Sequence, residues 1–274
     1  MKAVKHPGKC KLCGEFKELS AEHIPPKNAF NSATVKIFPF EEMLKTVSEK
    51  DRLPWDTKGL KGSLQQGGHK KYCLCHTCNN NTGQWYMRSY TDLAKTINAM
   101  IVKNRAIPGR AYSFTIEEIY PLRIYKAMMT LMCDINNDCF GDVLLRDFIM
   151  NKNSISIDKS KYSLYMYLVS SHMPRISGLS AFVNAETDSK PVLVSEIAYY
   201  PIGFALYIDK PQNYNPFGLN VDGFADYGFD DKCEVTFSGI PYLDINSNFP
   251  ADYRSKEEII ECIKTNELIY KILT

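Results

Sequence analysis

The chain has 274 residues, of which 45 % are hydrophobic and 23 % are charged, and it contains 15 Gly and 14 Pro. These proportions are ordinary for a globular protein and exclude a collagen-like, coiled-coil or wholly disordered chain. The length fits one large domain or two smaller ones, and two is our working count. No run of about 18 apolar residues occurs, and residues 1–17 are basic and polar without the apolar segment of a signal peptide. We therefore expect a cytoplasmic protein that does not bind a membrane.

Charge and cysteine are unevenly distributed along the chain. Residues 1–83 carry 14 Lys and Arg against 8 Asp and Glu, a net charge of +6, whereas residues 84–274 carry 19 against 23, a net charge of −4. A local positive excess favours a polyanionic partner such as DNA, because lysine contacts to phosphate release counterions. An exposed lysine-rich surface explains the excess equally well. Five of the nine cysteines also lie within the first 78 residues, which in a cytoplasmic chain indicates metal ligands.

The first predicted element is a C-x2-C unit at Cys10 and Cys13. The two-residue gap lets both sulfur atoms reach one metal ion. Glu22 and His23 follow side by side. Two prolines come just after them and forbid a helix, so this segment is predicted to be extended or sharply turned.

A second C-x2-C unit lies far along the chain, at Cys75 and Cys78. Together the two units supply four thiolates, the ligand set of a closed structural zinc site. The 61 residues between Cys13 and Cys75 exceed the roughly 15–20 of a compact zinc ribbon, so an insertion must be looped out. We interpret residues 31–70 as this insertion, with little regular structure and one short helix around Glu41 to Glu49.

The choice of zinc ligands from the sequence leaves two alternatives open. Cys73 offers a competing sulfur two residues before Cys75, and we hold it as a reserve ligand. The five clustered cysteines are alternatively reduced core residues, since free cysteine is often buried as a small apolar side chain.

Three helices are predicted next, from apolar residues spaced by three, four and seven. The first spans residues 79–103 and ends before Pro108-Gly109. The second opens at Pro121, because proline is favoured in the first turn of a helix. The third spans residues 142–150.

The pattern then changes to strands rich in Val, Ile, Tyr and Phe. Short connections between them favour antiparallel pairing. A last helix is predicted near Ser255, where Ser255 and Glu258 form a capping box. The five predicted strands are Tyr162 to Val169, Ile176 to Val183, Val192 to Tyr199, Gly203 to Ile208 and Cys233 to Phe237.

These elements predict an α+β protein with two domains. Residues 1–104 form a zinc-stabilised N-terminal domain that includes the long helix. After a helical linker, residues 105–274 form an α+β domain with a mainly antiparallel sheet. The second domain carries no motif that we can tie to chemistry, and its predicted role is regulation, targeting or assembly through a protein partner or a small-molecule activator.

Three blocks of residues 10–83 resemble the HNH endonuclease family. They are Cys10 to Cys13, Glu22 to Pro26, and Leu74 to Asn79 with Gly83. The resemblance implies that the N-terminal domain is a ββα-metal unit that hydrolyses DNA phosphodiester bonds. It also suggests a bacterial or phage-related defence effector.

The resemblance implies a role for each matching residue. His23 is similar to the general base that takes a proton from the attacking water, a role suited to an imidazole with a pKa near neutrality. Glu22 and Asn79 are similar to the two ligands of one catalytic Mg²⁺ or Mn²⁺ ion, which prefers oxygen donors. As alternatives, Glu22 and His23 form a surface pair, and Asn79 caps the long helix.

The sequence departs from the family at one position. The middle asparagine of the family, which orients the base histidine, is replaced by Lys70, with His69 beside it. We expect His69 or a backbone carbonyl of the insertion to orient His23 instead. The candidate nucleic-acid contacts are Lys27, His69, Lys70 and Lys71.

Together, these features lead us to expect a metal-dependent endonuclease similar to the HNH family, with a structural Zn²⁺. The rival interpretation, from another functional class, is a zinc-ribbon protein that binds nucleic acid and cleaves nothing. The rival requires the four cysteines and the lysines, but it gives no reason for Glu22 and His23 to be adjacent.

Overall fold

The computed structural model describes residues 5–48, 52–170, 173–182 and 190–273. Its described part is a mixed α+β fold whose strands pair almost entirely antiparallel, which confirms the α+β class and the mainly antiparallel pairing. The N-terminal region, residues 1–104, contributes a three-stranded sheet, a two-stranded hairpin and a long helical segment. Its elements are β1 (Pro7–Lys9), β2 (Phe16–His23), β3 (Val35–Ile37), α1 (Phe40–Ser48), β4 (Ser63–Gln65), β5 (Lys70–Cys75), α2 (His76–Thr82) and α3 (Arg88–Lys103).

The three-stranded sheet has the order β1-β2-β5 and is antiparallel throughout. The insertion between β2 and β5 forms the β3–β4 hairpin and α1. The short helix expected around Glu41 to Glu49 is therefore present, although Glu49 lies outside the described residues. The insertion is looped out of the sheet, so β2 and β5 become neighbours despite their separation in sequence.

The helix expected over residues 79–103 begins three residues earlier than predicted. It comprises α2, a π-helical turn at Gly83–Met87 and α3. Its buried face includes Tyr90, Leu93 and Ile97, as the apolar spacing indicates.

The C-terminal region, residues 105–274, places one buried helix against a large sheet. Its elements are β6 (Arg110–Ile119), α4 (Pro121–Ile135), α5 (Val143–Met150), β7 (Tyr162–Val169), β8 (Arg175–Phe182), β9 (Val192–Tyr199), β10 (Ile202–Ile208), β11 (Leu219–Asn220), β12 (Cys233–Leu243) and α6 (Lys256–Leu273). Every residue of α4 except Arg123 is buried, so this helix forms the centre of the core. Pro121 is its first residue, as predicted.

The large sheet has the order β6-β12-β7-β10-β9-β8, with β11 paired to β7. The predicted strands are present, and their antiparallel pairing is confirmed, with a short parallel contact between β12 and β7. Val183, the predicted end of one strand, lies outside the described residues. The capping box is also present, since the Ser255 N–H donates to Glu258 Oε2 at 2.6 Å and the Glu258 N–H donates to Ser255 Oγ at 3.1 Å.

The apolar core is continuous between the N-terminal and C-terminal regions. One cluster of buried side chains contains Leu74 and Ile97 from the first region and Met128, Phe204 and Ile240 from the second. The division near residue 104 stays a prediction. Among the described residues, none of the helices has both the length and the apolar character needed to span a membrane.

Candidate metal centre and neighbouring polar site

Four cysteines come together where the first C-x2-C unit meets the end of β5 and the start of α2. The Sγ atoms of Cys10, Cys13, Cys75 and Cys78 all lie within 4.8 Å of one another. Three of the side chains are buried, and Cys13 is exposed. Four converging thiols with no other donor among them match the ligand set of a closed tetrahedral zinc site. The predicted pairing of the two units is thus confirmed as a geometry that could hold one metal ion.

The local backbone shapes the first unit around the metal position. The Gly14 N–H donates to the Cys10 carbonyl at 2.8 Å, and Gly14 adopts a φ of +74°, which glycine tolerates without strain. The Cys75 N–H donates to Cys10 Sγ at 3.3 Å. A hydrogen bond from Cys78, together with backbone N–H donors, lowers the pKa of the Cys10 thiol to about 4. Cys10 is therefore held as a thiolate, the form that binds zinc.

Cys73 lies outside the four-cysteine group. Its side chain is buried, its Sγ lies 3.8 Å from the Lys71 carbonyl oxygen, and burial raises the pKa of its thiol. Its backbone carbonyl accepts from the Lys11 N–H at 3.0 Å, which fixes β5 to the first cysteine unit. The structure thus selects Cys75 in preference to the reserve ligand Cys73.

Glu22 and Asn79 are brought together beside the cysteine group. Glu22 is 7 % exposed, and its carboxyl is close enough to the Asn79 side chain to accept a hydrogen bond. Asn79 Nδ2 also donates to Ser20 Oγ at 2.9 Å and to the Ala21 carbonyl at 3.4 Å. These contacts use the amide nitrogen, whereas Oδ1 is the atom with which an asparagine binds a metal ion. Asn79 does not cap the helix, because the residue at the N-cap is Cys75.

Burial controls the charge of Glu22. Desolvation raises the pKa of this carboxyl to about 7, and the hydrogen bond from Asn79 opposes the rise. Glu22 is therefore not a simple surface partner of His23. A divalent cation would favour the ionised form, because a nearby positive charge stabilises a carboxylate.

A backbone carbonyl orients His23. His23 is the last residue of β2, and its Nε2 lies 3.0 Å from the carbonyl oxygen of Gly67. Because a carbonyl oxygen only accepts hydrogen bonds, Nε2 carries the proton, and the neutral ring keeps its lone pair on Nδ1. Gly67 belongs to the insertion, so one of the two orienting groups expected from the sequence occupies this position.

His69, a candidate orienting group and nucleic-acid contact, is buried beside Gln65. It is 8 % exposed, and its Nδ1 lies 3.1 Å from Gln65 Oε1. Burial, together with the positive charge of Lys71, lowers the pKa of His69 to about 4. The ring is therefore neutral near pH 7 and offers no charge to a phosphate, and we leave it out of the nucleic-acid surface proposed below.

The three candidate lysine contacts lie in different surroundings. Lys27 is exposed just beyond His23 in the chain, and Lys70 is half-buried directly opposite His23 in the β2–β5 register. Cross-strand partners share a face of the sheet, so Lys70 and His23 point to the same side. Lys71 faces Glu22 instead, and burial together with Lys11 lowers its pKa. Lys27 and Lys70 are thus the better placed of the three for phosphate.

The sequence analysis missed two buried polar residues near the site. Asn31, on the loop after His23, hydrogen-bonds to backbone groups of Pro25 and His69. Asp134, near the end of α4, is fully buried, and within the described ranges neither of its carboxyl oxygens has a hydrogen-bond partner. Burial raises the pKa of Asp134 well above its ordinary value. Neither residue belongs to a motif or a spacing that marks it in the sequence.

Comparison of the chain with protein-family models, curated proteins and solved structures finds no match. The resemblance to the HNH family therefore remains an interpretation of the motif residues. The cysteine group and the surroundings of Glu22, His23 and Asn79 are the structural observations that bear on function.

Proposed function

We propose that the protein is a metal-dependent endonuclease of the HNH type that hydrolyses DNA. The observation that carries the proposal is the arrangement at the end of β2. There, His23 is fixed through Nε2 on the Gly67 carbonyl, and the neighbouring Glu22 meets Asn79 beside the four-cysteine group. A histidine with one nitrogen anchored and the other free to accept a proton suits a general base.

In this proposal each residue has one task. His23 Nδ1 takes a proton from the water that attacks the phosphorus, and the Gly67 carbonyl keeps Nε2 protonated and the ring in place. Glu22 and Asn79 would hold one Mg²⁺ or Mn²⁺ ion through oxygen atoms, which fits a hard cation that keeps several water ligands. Such an ion, when bound, stabilises the charge that develops on the phosphate and on the leaving oxygen.

Zinc at the four cysteines would have a structural role. It would join the first C-x2-C unit to β5 and to the start of α2, the helix that carries Asn79. The position of Asn79 relative to β2 therefore depends on the metal. Lys27 and Lys70 are proposed to contact phosphates on the side of the sheet where His23 lies.

The C-terminal region is proposed to control or target the nuclease. It offers no other group of three potential metal ligands within the described residues, and it packs against the N-terminal region through a common core. A protein partner or a small-molecule activator would act through this region.

One observation favours the rival function, a zinc-ribbon protein that binds nucleic acid without cleaving it. Glu22 is buried with a pKa of about 7, a state that a binding protein tolerates without any cation. The rival predicts intact DNA in complexes whose affinity falls steeply with salt, and no effect of changing His23.

The metal dependence of plasmid cleavage tests the proposal. Purified full-length protein is incubated with plasmid DNA, and in parallel with RNA, in Mg²⁺, Mn²⁺ or EDTA. We expect nicking of DNA with either ion and none in EDTA. Even a lost outer partner of a metal ligand costs about 10–100-fold, so Asn79→Ala should slow cleavage by at least that much.

Asn80→Ala is the matched control, because Asn80 is exposed on the same helix. This variant should cleave DNA at the wild-type rate. The proposal fails if the wild type cleaves no DNA with either ion, or if Asn79→Ala cleaves as fast as Asn80→Ala. If the protein cleaves RNA but not DNA, the substrate of the proposed enzyme is RNA and the assignment of DNA is wrong.

A further inference from the structure

Asn31 is a fully buried side chain whose amide makes four hydrogen bonds. Nδ2 donates to the carbonyl oxygens of Pro25, at 2.7 Å, and His69, at 2.8 Å. Oδ1 accepts from the His69 N–H at 2.7 Å and from the Tyr199 hydroxyl at 3.1 Å. An asparagine amide has two donor hydrogens and two acceptor lone pairs. Every hydrogen-bonding capacity of this side chain is therefore used.

The partners of Asn31 flank His23 and its acceptor on two backbone segments. Pro25 lies two residues after His23, and His69 lies two residues after Gly67, whose carbonyl accepts from the His23 ring. The Ile24 N–H also donates to the His69 carbonyl, at 3.1 Å. Asn31 thus ties the segment that bears the imidazole to the turn that orients it.

The close approach of this turn to Asn31 restricts the sequence at Gly68. Gly68 has a φ of +96°, and a Cβ atom built on it would lie 2.1 Å from the Asn31 carbonyl oxygen. Only glycine fits such a position without displacing backbone. The Gly67–His69 turn is therefore seated against both the backbone and the side-chain amide of Asn31.

We propose that Asn31 is a positioning residue that holds the His23 ring in one tautomer and orientation, and that Tyr199 of the C-terminal region anchors it. The effect on ring geometry follows from the contacts alone, and the effect on rate rests on the proposed nuclease function. With the turn fixed, the neutral ring keeps its proton on Nε2 and presents Nδ1. With the turn released, the Gly67 carbonyl no longer selects that tautomer.

Tyr199 brings the C-terminal region to the candidate active site. It is the last residue of β9, and its neighbour Tyr200 donates through its hydroxyl to Asn98 Oδ1 at 2.5 Å. Both tyrosines therefore join the β9–β10 turn to the N-terminal region, but only Tyr199 contacts Asn31. This difference provides a matched pair of variants, each of which removes one hydroxyl.

The experiment compares full-length wild type with Asn31→Ala, Tyr199→Phe and Tyr200→Phe. The first measurement is the ¹⁵N chemical shifts of the His23 ring at a pH well above the ordinary histidine pKa, which report the tautomer without any cleavage. We expect the Nε2–H form in the wild type and in Tyr200→Phe. We expect a mixture of tautomers in Asn31→Ala and, to a smaller extent, in Tyr199→Phe.

The second measurement is kcat and KM for plasmid nicking. Small displacements of a catalytic group reduce turnover by about 10–100-fold, so Asn31→Ala should lower kcat by at least tenfold on that scale with little change in KM. Tyr199→Phe should lower kcat less, and Tyr200→Phe should leave it unchanged. If Asn31→Ala fails to fold, the comparison of Tyr199→Phe with Tyr200→Phe decides whether the Asn31 contact positions the His23 ring.

Two results overturn the inference. One is an unchanged His23 tautomer in both Asn31→Ala and Tyr199→Phe. The other is a tautomer shift in Tyr200→Phe as large as that in Tyr199→Phe, which would mean a general loosening of the β9–β10 turn. A wild type that cleaves no nucleic acid would overturn the proposed function, and the ring spectra would still decide the role of Asn31.

Discussion

At the residue scale, the chain neighbours Glu22 and His23 have different surroundings. Successive side chains of a strand point to opposite faces. Glu22 is buried beside Asn79, and its burial together with the Asn79 hydrogen bond controls its charge. His23 is half-buried on the other face, where the Gly67 carbonyl accepts from its ring. The proposed function assigns the cation to the first of these side chains and the proton transfer to the second.

The burial of Glu22 predicts separate effects on stability and on cleavage. Its carboxyl has a pKa of about 7 in the folded chain against an ordinary value of 4.5. Because the folded chain favours the protonated carboxyl, the contribution of Glu22 to the free energy of unfolding is complete below pH 4.5. This contribution is lost as the pH rises through 7. Without added divalent ion, Glu22→Gln should remove this loss and raise the free energy of unfolding near pH 8 by up to about 3 kcal/mol. With Mg²⁺ or Mn²⁺ present, the same substitution should abolish cleavage.

Urea unfolding across this pH range measures the effect of Glu22→Gln. Glu117→Gln, at an exposed position of β6, serves as the control and should leave the pH dependence unchanged. A Glu22→Gln protein that is less stable than the wild type at pH 8 would contradict the account, because the carboxylate would then be stabilising.

At the element scale, the cysteine group joins β5 and α2 to the first C-x2-C unit. Cys78→Ser should lose zinc and lower the melting temperature, because metal binding contributes directly to the folding free energy of such a unit. Cys73→Ala is the matched control, since Cys73 is a buried cysteine of the adjoining strand β5 that lies outside the group. Elemental analysis should find one zinc per chain in the wild type and in Cys73→Ala. Zinc retained in Cys78→Ser, or lost in Cys73→Ala, would contradict the ligand assignment.

A second element-scale prediction concerns the start of α5. Asp142 Oδ1 accepts from the backbone N–H groups of Leu144 and Leu145, and Oδ2 accepts from Lys161 and Tyr162. Desolvation would raise the pKa of Asp142, but these hydrogen bonds outweigh it and hold the pKa at about 2. Asp142→Ala should destabilise the protein by about 1–2 kcal/mol, the usual effect of losing an N-cap.

The contribution of Asp142 should disappear in acid. A lowered pKa gives stability that is present above the ordinary value of 3.8 and is lost as the pH falls to about 2. Thermal unfolding of Asp142→Ala beside Asp147→Ala, at an exposed position of the same helix, measures the difference. Equal stability of the two variants at neutral pH would contradict the prediction.

The elements differ in how well the sequence predicts them. Apolar spacing predicts α3 and α4, and runs of Val, Ile and Tyr predict the buried strands, because both signals are local. The sequence analysis missed β6, although Tyr112, Phe114 and Ile116 alternate with polar residues along it. It also ended β12 at Phe237; in the structure a bulge with Gly239 at a φ of +67° continues the strand to Leu243.

The sequence predicts those residues of the site that belong to a recognisable motif, and it does not predict the others. The spacing of the cysteines predicts their group, since each pair is local and shares one function. The Gly67 carbonyl and the Asn31 amide carry no side-chain signature of their roles, because both act through backbone contacts formed by folding of the insertion. Tyr199 is 168 residues from Asn31 in the chain, a pairing that no periodicity in the sequence encodes.

At the scale of the whole molecule, the four-cysteine group is part of the common core. The Lys11 ammonium donates to the Asp134 carbonyl at the end of α4 at 2.7 Å, and Cys139 Sγ lies 3.2 Å from the Lys11 carbonyl oxygen. Asn248 Nδ2 donates to the Pro54 carbonyl at 2.6 Å and ties the insertion to the segment before α6. The two regions therefore stabilise each other. The destabilisation caused by loss of zinc should extend from the N-terminal region into the C-terminal region.

Amide hydrogen exchange tests this connection. Removal of zinc by a chelator should increase exchange in α4, because the first C-x2-C unit no longer covers the end of that helix. The strands β8 and β9 contact Asn136 directly after α4, so the internal control is the strand pair β6–β12 at the other edge of the large sheet, which should change less. Unchanged protection of α4 in zinc-free protein would show that the two regions are stable independently.

The central claim is that His23 activates water for cleavage of DNA, and one comparison tests it most directly. His23→Ala and His76→Ala, the latter at an exposed histidine of the same unit, are assayed with wild type for nicking of plasmid DNA in Mg²⁺ and Mn²⁺ at equal zinc content. A general base contributes about 10²–10⁴-fold, so His23→Ala should be slower by at least the lower figure, with His76→Ala at the wild-type rate. Equal rates for His23→Ala and the wild type would contradict the account.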